Sequence, residues 1–260
     1  METASANIAY NNSDWGFEFS QPGAAAIVRN QSYNNRAGIH VSNSSAGIAR
    51  IGDDDLAAGN GNLVYNNRDG GIYAYYGALV AGNTVYGHLT SGAWGIYGYS
   101  NVTTRSNVVY GNTQGIYAWF GSVETNRVYA NSADGVRTEN SDVVGNVIYS
   151  NAVGLRVGQN YNTPRTGRNN LIYANSQAGA LLSGDRFTFI NNTVVQPLGD
   201  ALRVSDAATP ACSITLSVRT PVIPSAWRPT AKSVSKPITT CSCRAAPAYS
   251  ANGRASTGPT

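Results

Sequence analysis

Asn62-Leu-Val-Tyr-Asn-Asn67, followed within a few residues by Gly71-Ile-Tyr-Ala-Tyr75, decides the fold. Side chains alternate in both pieces. Asn62 and Val64 share one side and Leu63 and Tyr65 the other, while Ile72 and Ala74 oppose Tyr73 and Tyr75. A period of two marks strands with one buried face. The unit then recurs along the chain. An Asn-x-(Val/Ile)-Tyr tetrad begins at Asn62, Asn83, Asn107, Asn126, Asn146 and Asn170, with looser copies at Asn7, Asn30 and Asn192. Successive copies lie 23, 32, 21, 24, 19, 20, 24 and 22 residues apart.

After most tetrads a second Asn stands five residues beyond the first: Asn12, Asn35, Asn67, Asn112, Asn131, Asn151 and Asn175. His88 and Pro197 occupy that place in two copies. A Gly-apolar pair follows, from Gly16-Phe17 and Gly38-Ile39 through Gly154-Leu155. No lap can bury its own apolar side, so the laps must stack, as in other solenoids. Two inward columns result: Phe17, Ile39, Ile72, Ile96, Ile116, Val136, Leu155, and Val64, Val85, Val109, Val128, Ile148, Ile172, Val194. Inward Asn amides can pair with backbone and with the Asn one lap away, satisfying turn groups that would otherwise be buried unpaired. The corner Gly is expected to supply a positive φ. No ten-residue stretch carries an apolar period of 3.6, so crossover helices are not expected. The fold class read from these features is all-β, a parallel β-helix of about nine rungs of ~22 residues, stacking to roughly 40 Å.

The tetrads and Gly-apolar starts resemble the right-handed parallel β-helix repeat family, related to the pectin-lyase-like proteins and NosD-like repeats. The resemblance runs over roughly residues 7–206. It implies an extracellular or cell-surface setting, and a substrate groove along one outer sheet, often on the strand after the Gly corner.

Composition changes after residue 206. Residues 1–206 hold twelve Arg, no Lys and fourteen Asp or Glu, a net charge of −2, so the whole-chain value of +4 belongs to the tail. The tail, residues 207–260, is a basic, irregular segment rich in Ala, Ser, Thr and Pro, and it carries all three cysteines, Cys212, Cys241 and Cys243. Either it is a linker, or a one-base frameshift near residues 205–212 has replaced a further lap. A slightly acidic body argues against a nucleic-acid partner. No run approaches the roughly 20 apolar residues of a membrane span. Met1-Glu-Thr-Ala-Ser-Ala-Asn7 lacks a secretory signal, which suggests an intracellular protein or a piece of a longer exported one.

Alternation after the Gly corners places two outward columns side by side. One reads Glu18, His40, Tyr73, Tyr97, Tyr117, Arg137, Arg156; the other reads Ser20, Ser42, Tyr75, Tyr99, Trp119, Glu139. The six aromatics Tyr73, Tyr75, Tyr97, Tyr99, Tyr117 and Trp119 are carbohydrate-binding candidates, because ring faces take the apolar faces of pyranoses. Arg can pair bidentately with a uronate carboxylate. The plainer reading is that stacked aromatics steady neighbouring strands. A second outward stack (Tyr65, Tyr86, Tyr110, Tyr129, Tyr149, Tyr173) is regular enough to argue structure. Arg137, Glu139, Arg156 and His40 are the catalytic candidates, with Arg137 or Arg156 the base a lyase would need in a body without Lys. The long lap after Asn30 carries Asp53, Asp54 and Asp55, which either bind calcium or form a solvated acidic loop. A second loop, 158–168, carries Arg165 and Arg168.

The catalytic patterns of the families it resembles are missing: neither Asn-Thr-Asp with Arg-Ile-Lys nor Asp-Pro-His occurs. The residues favour a non-catalytic surface or secreted solenoid that binds a polysaccharide or cell-surface glycan, and a fragment of a longer protein. The alternative is a polysaccharide lyase, epimerase or glycoside hydrolase acting on an acidic polysaccharide.

Overall fold

The structure, a computed structural model, describes residues 3–44, 46–55, 59–161, 163–184 and 186–205, with two further strands, Ser213–Ser217 and Cys241–Ser242. Each lap is built from three strands. In one lap they are Gly70–Tyr75, Ala78–Ala81 and Thr84–Tyr86. Strands of the first kind stack in parallel into a 9-stranded sheet running from Trp15–Ser20 to Asp200–Ser205. The other two kinds form parallel runs joined through the long strand Phe187–Val195, making one 19-stranded sheet. The chain is thus an all-β, right-handed parallel β-helix of about nine laps. The frameshift reading and the boundary after residue 206 concern the tail, most of which lies outside the described residues. Ser213–Ser217 runs parallel to Phe187–Val195 and pairs antiparallel with Cys241–Ser242.

The second strand of each lap, the kind to which Ala78–Ala81 belongs, has no shared motif, so the repeat does not mark it. Thr103–Arg105, Ser122–Glu124 and Asp142–Val144 have only a small or β-branched inward residue in common. That residue forms a third core column through Ile27, Ile51, Val80, Thr104, Val123 and Val143. Gly167 leaves a gap in the column that Phe187 and Phe189 fill. The two expected columns are present: apart from half-buried Phe17, all their members are fully buried. Each such side chain contributes about 1.5–3 kcal/mol by leaving water.

Two amide ladders run the length of the coil. In the first, Oδ1 of each Asn accepts both the backbone N–H and Nδ2–H of the Asn one lap earlier, at 2.9 and 2.9 Å for Asn107 on Asn126. Nδ2 of Asn126 also donates to the Thr104 carbonyl at 2.9 Å. The second ladder contains His88, whose Nδ1 lies 3.1 Å from the Asn67 backbone nitrogen. At its last rung Gln196, rather than Pro197, takes the ladder place: its Oε1 accepts from the Asn175 N–H at 3.2 Å. Proline has no amide to offer, and the longer Gln side chain reaches from one residue earlier.

The corner glycines are needed for a different reason from the one expected. Gly115 does not have positive φ; a Cβ on it would stand 2.1 Å from the Gly135 carbonyl and 2.8 Å from Val128 Cγ1. Close approach of successive laps excludes a side chain there. Positive φ falls instead on the residue before the ladder Asn, as at Ser106 (55°), Thr125 (52°), Asn66 (53°) and Ala130 (54°). This left-handed residue turns the chain so that the next side chain, the Asn, points inward.

Candidate functional site

The outer face of the 9-stranded sheet holds the residues the sequence singled out. Register puts His40, Tyr73, Tyr97, Tyr117, Arg137 and Arg156 in one column, and Ser42, Tyr75, Tyr99, Trp119 and Glu139 in the next. The column continues through Leu181 and Arg203. The face divides along the axis into an aromatic stretch and an ionic stretch.

In the aromatic stretch the rings stack on one another. Tyr97 lies on Tyr117 at 4.8 Å between centroids and 16° between planes, and Tyr99 on Trp119 at 4.3 Å and 11°. Tyr73 stacks on Tyr97 more loosely, at 5.6 Å and 28°, while Tyr75 tilts by 46° against Tyr99. Ring faces in these columns are therefore largely taken up by the neighbouring lap. Burial pushes the Tyr73 and Tyr117 phenols up to about 12, so both are protonated donors at neutral pH. The Tyr73 hydroxyl donates to the Asp69 carbonyl at 2.7 Å.

At one end, His40 stacks on Trp15 at 4.6 Å and meets the edge of Tyr75 at 5.5 Å, with Nδ1 3.6 Å from the Glu18 carboxylate. Burial lowers its pKa and the Glu18 charge partly opposes this, so the imidazole is neutral at pH 7. Trp15 and Trp94 escaped the sequence reading, as did Asp134. All three directly precede a corner Gly. Gly71 and Ile72 both face inward, so alternation slips by one and the residue before the Gly faces out. A period-two template with one inserted residue would have found them.

At the other end lies an open cleft of about 350 Å³, lined by Arg137, Glu139, Arg156, Asn160, Ser183 and Arg203 among others. Each of its cations has an acidic partner. Arg137 reaches Glu139 at 3.3 Å. Arg156 binds both oxygens of the nearly buried Asp134, at 2.7 and 3.0 Å, and these hydrogen bonds raise its pKa further. Arg203 donates from Nε to Asp200 at 2.7 Å. Arg156 is thus held as a cation against Asp134, and Arg137 is paired with Glu139.

The acidic loop lies away from this face. Asp54 pairs with Arg105. Asp53 accepts the Asp55 N–H at 3.3 Å, a bond that leads the lowering of its pKa. No group of three metal-binding side chains assembles among the described residues. Arg165 binds Asp142 at 3.2 Å, and Thr166 N–H caps the same carboxylate at 2.7 Å; this arginine fastens its loop.

A family model described as the right-handed beta helix region matches residues 46–194. The chain belongs to the right-handed β-helix family. Among solved structures, the β-helix chain is similar to the periplasmic alginate epimerase AlgG, in a mutant form, with 19% identity and a TM-score of 0.47, covering 74% of this chain and 47% of that one. It is also similar to the catalytic domain of a GH87 α-1,3-glucanase in complex with nigerose, with 10% identity and a TM-score of 0.24, covering 81% and 62%. No curated protein matches the chain.

Proposed function

We propose that this β-helix is a non-catalytic glycan-binding scaffold that holds a polysaccharide along the outer face of the 9-stranded sheet. One observation carries the reading: the face is an open, polar and aromatic groove whose ionic groups at the cleft are already paired within the chain. Paired groups can still donate outward hydrogen bonds to sugar hydroxyls or a carboxylate, but they are not free to take and return protons. The cleft adjoins Tyr117 and Trp119 on the same sheet face, which suits a polymer bound over several laps. A surface or secreted setting accords with this role. The alternative is an enzyme acting on an acidic polysaccharide, and it rests on His40, a neutral imidazole on the same face, several laps from the cleft.

Affinity electrophoresis of the full chain through gels containing pectate, alginate or neutral glycans tests the proposal. Retardation in at least one gel is expected, and Arg137→Ala should weaken it severalfold. Equal mobility in all gels, or retardation unchanged by Arg137→Ala, would overturn it.

A further inference from the structure

The second outward stack is longer and more regular than the sequence reading allowed. Tyr10, Tyr33, Tyr65, Tyr86, Tyr110, Tyr129, Tyr149 and Tyr173 are in register on successive laps. Their centroids are 4.8 to 5.2 Å apart and their planes within 12° of parallel. Seven of the eight are half-buried and Tyr10 is exposed, and each ring stacks on those of the adjoining laps. The neighbouring outward column is Ile8, Gln31, Leu63, Thr84, Val108, Arg127, Val147, Leu171 and Thr193, in which Arg127 is the only charge.

We infer that this ladder is an oxidative cross-linking site, at which a one-electron oxidant converts stacked tyrosines on adjacent laps into dityrosine staples. Each of two phenols gives one electron to the oxidant and its hydroxyl proton to solvent. The two phenoxyl radicals join through one bond between ring carbons ortho to oxygen. Hydrogens on those carbons move to the oxygens through solvent as the rings become aromatic again. Two electrons and two protons leave in all, and two equivalents of oxidant are reduced.

The stack supplies what this coupling needs. Parallel rings at about 5 Å let an electron vacancy pass from rung to rung until two radicals sit side by side. The partners are 19 to 32 residues apart in sequence, so each bond ties one lap to the next. Residues 1–206 contain no cysteine, and such bonds would be their covalent fastening.

Arg127 sets where coupling occurs. Its guanidinium lies 5.1 Å over the Tyr129 ring and 5.6 Å over Tyr149. It also donates to the Tyr149 hydroxyl from Nε at 3.0 Å and Nη2 at 2.7 Å. A fixed positive charge opposes loss of an electron from those rings. Radicals therefore collect on the rungs from Tyr33 to Tyr110, and the Tyr129–Tyr149 bond forms least.

The test is photo-oxidation of the full chain with a ruthenium polypyridyl complex and persulfate, read by dityrosine fluorescence and mass spectrometry of cross-linked peptides. The expected product is a monomeric chain with bonds between adjacent rungs, chiefly Tyr33–Tyr65, Tyr65–Tyr86 and Tyr86–Tyr110. Tyr86→Phe keeps a stacking ring and should abolish both bonds made by that rung. Arg127→Gln should raise the Tyr129–Tyr149 product severalfold. Cross-links mainly between molecules, or mainly at the exposed off-ladder residues Tyr76 and Tyr161, would overturn the inference. So would a Tyr129–Tyr149 yield indifferent to Arg127→Gln.

Discussion

Replacing His88 with Asn should remove much of the protein's sensitivity to mild acid. His88 is fully buried where the second ladder otherwise carries Asn67 before it and Asn112 after it. Nδ1 lies 3.1 Å from the Asn67 backbone nitrogen and 3.0 Å from the Asn67 carbonyl oxygen, so the ring tautomer decides which of the two it pairs with. Burial drives the pKa from 6.5 down to about 4, against smaller opposing contributions from backbone hydrogen bonds. The folded form thus binds fewer protons than the unfolded one between these values. Stability is fully present above about pH 6.5 and falls as pH drops toward 4. The separation corresponds to on the order of 3 kcal/mol when complete. An Asn can accept the Asn67 N–H through Oδ1 and carries no titrating group. Urea midpoints measured from neutral pH down to about pH 4.5 should decline more steeply for the wild-type chain than for His88→Asn. The half-buried His40, also lowered, leaves a smaller decline in the variant. Identical slopes for the two proteins would show that His88 does not carry the acid sensitivity.

Other substitutions probe the coil and the cleft. Gly115→Ala, which sets a methyl group 2.1 Å from the Gly135 carbonyl, should cost about 3 kcal/mol, measured by thermal melting. Asn126→Ala strands the Asn107 N–H and removes a donor from the Thr104 carbonyl; a loss on the order of 2–4 kcal/mol is expected, with faster amide exchange in the flanking laps. Arg156→Ala leaves the Asp134 carboxylate, 9% exposed, without its cation and should destabilise by about 3 kcal/mol. Arg137→Ala, on a more open pair, should change urea stability by about 1 kcal/mol or less while weakening glycan retention.

The coil was legible because its determinants are local and repeated. Asn83-Thr-Val-Tyr86 states the strand, the inward amide and the outward ring within four residues, and stacking copies it from lap to lap. What escaped depends on neighbours. The second strand of each lap needs only one inward apolar or small residue, supplied equally by Val80, Thr104 or Val143, so no motif marks it. Glycine's role at Gly115 was misassigned because a clash with the next lap is invisible in the sequence, whereas positive φ is an inherent property of the residue. The outward aromatic and ionic columns were placed correctly by alternation alone. Their pairing was not: that Asp134 holds Arg156, or that Tyr99 lies flat on Trp119, depends on lap-to-lap register. Asp53, Asp54 and Asp55 are adjacent in sequence, but the partner of the central carboxylate, Arg105 two laps on, is likewise a matter of register.

The proposed groove binds glycan without transforming it. The most direct measurement follows pectate, alginate and neutral glycans with the purified chain, recording binding by calorimetry alongside ultraviolet absorbance for unsaturated ends and an assay for new reducing ends. Saturable heat with at least one polymer, and neither kind of product, is the predicted result. Products that accumulate with the wild-type chain and vanish with His40→Ala would contradict it.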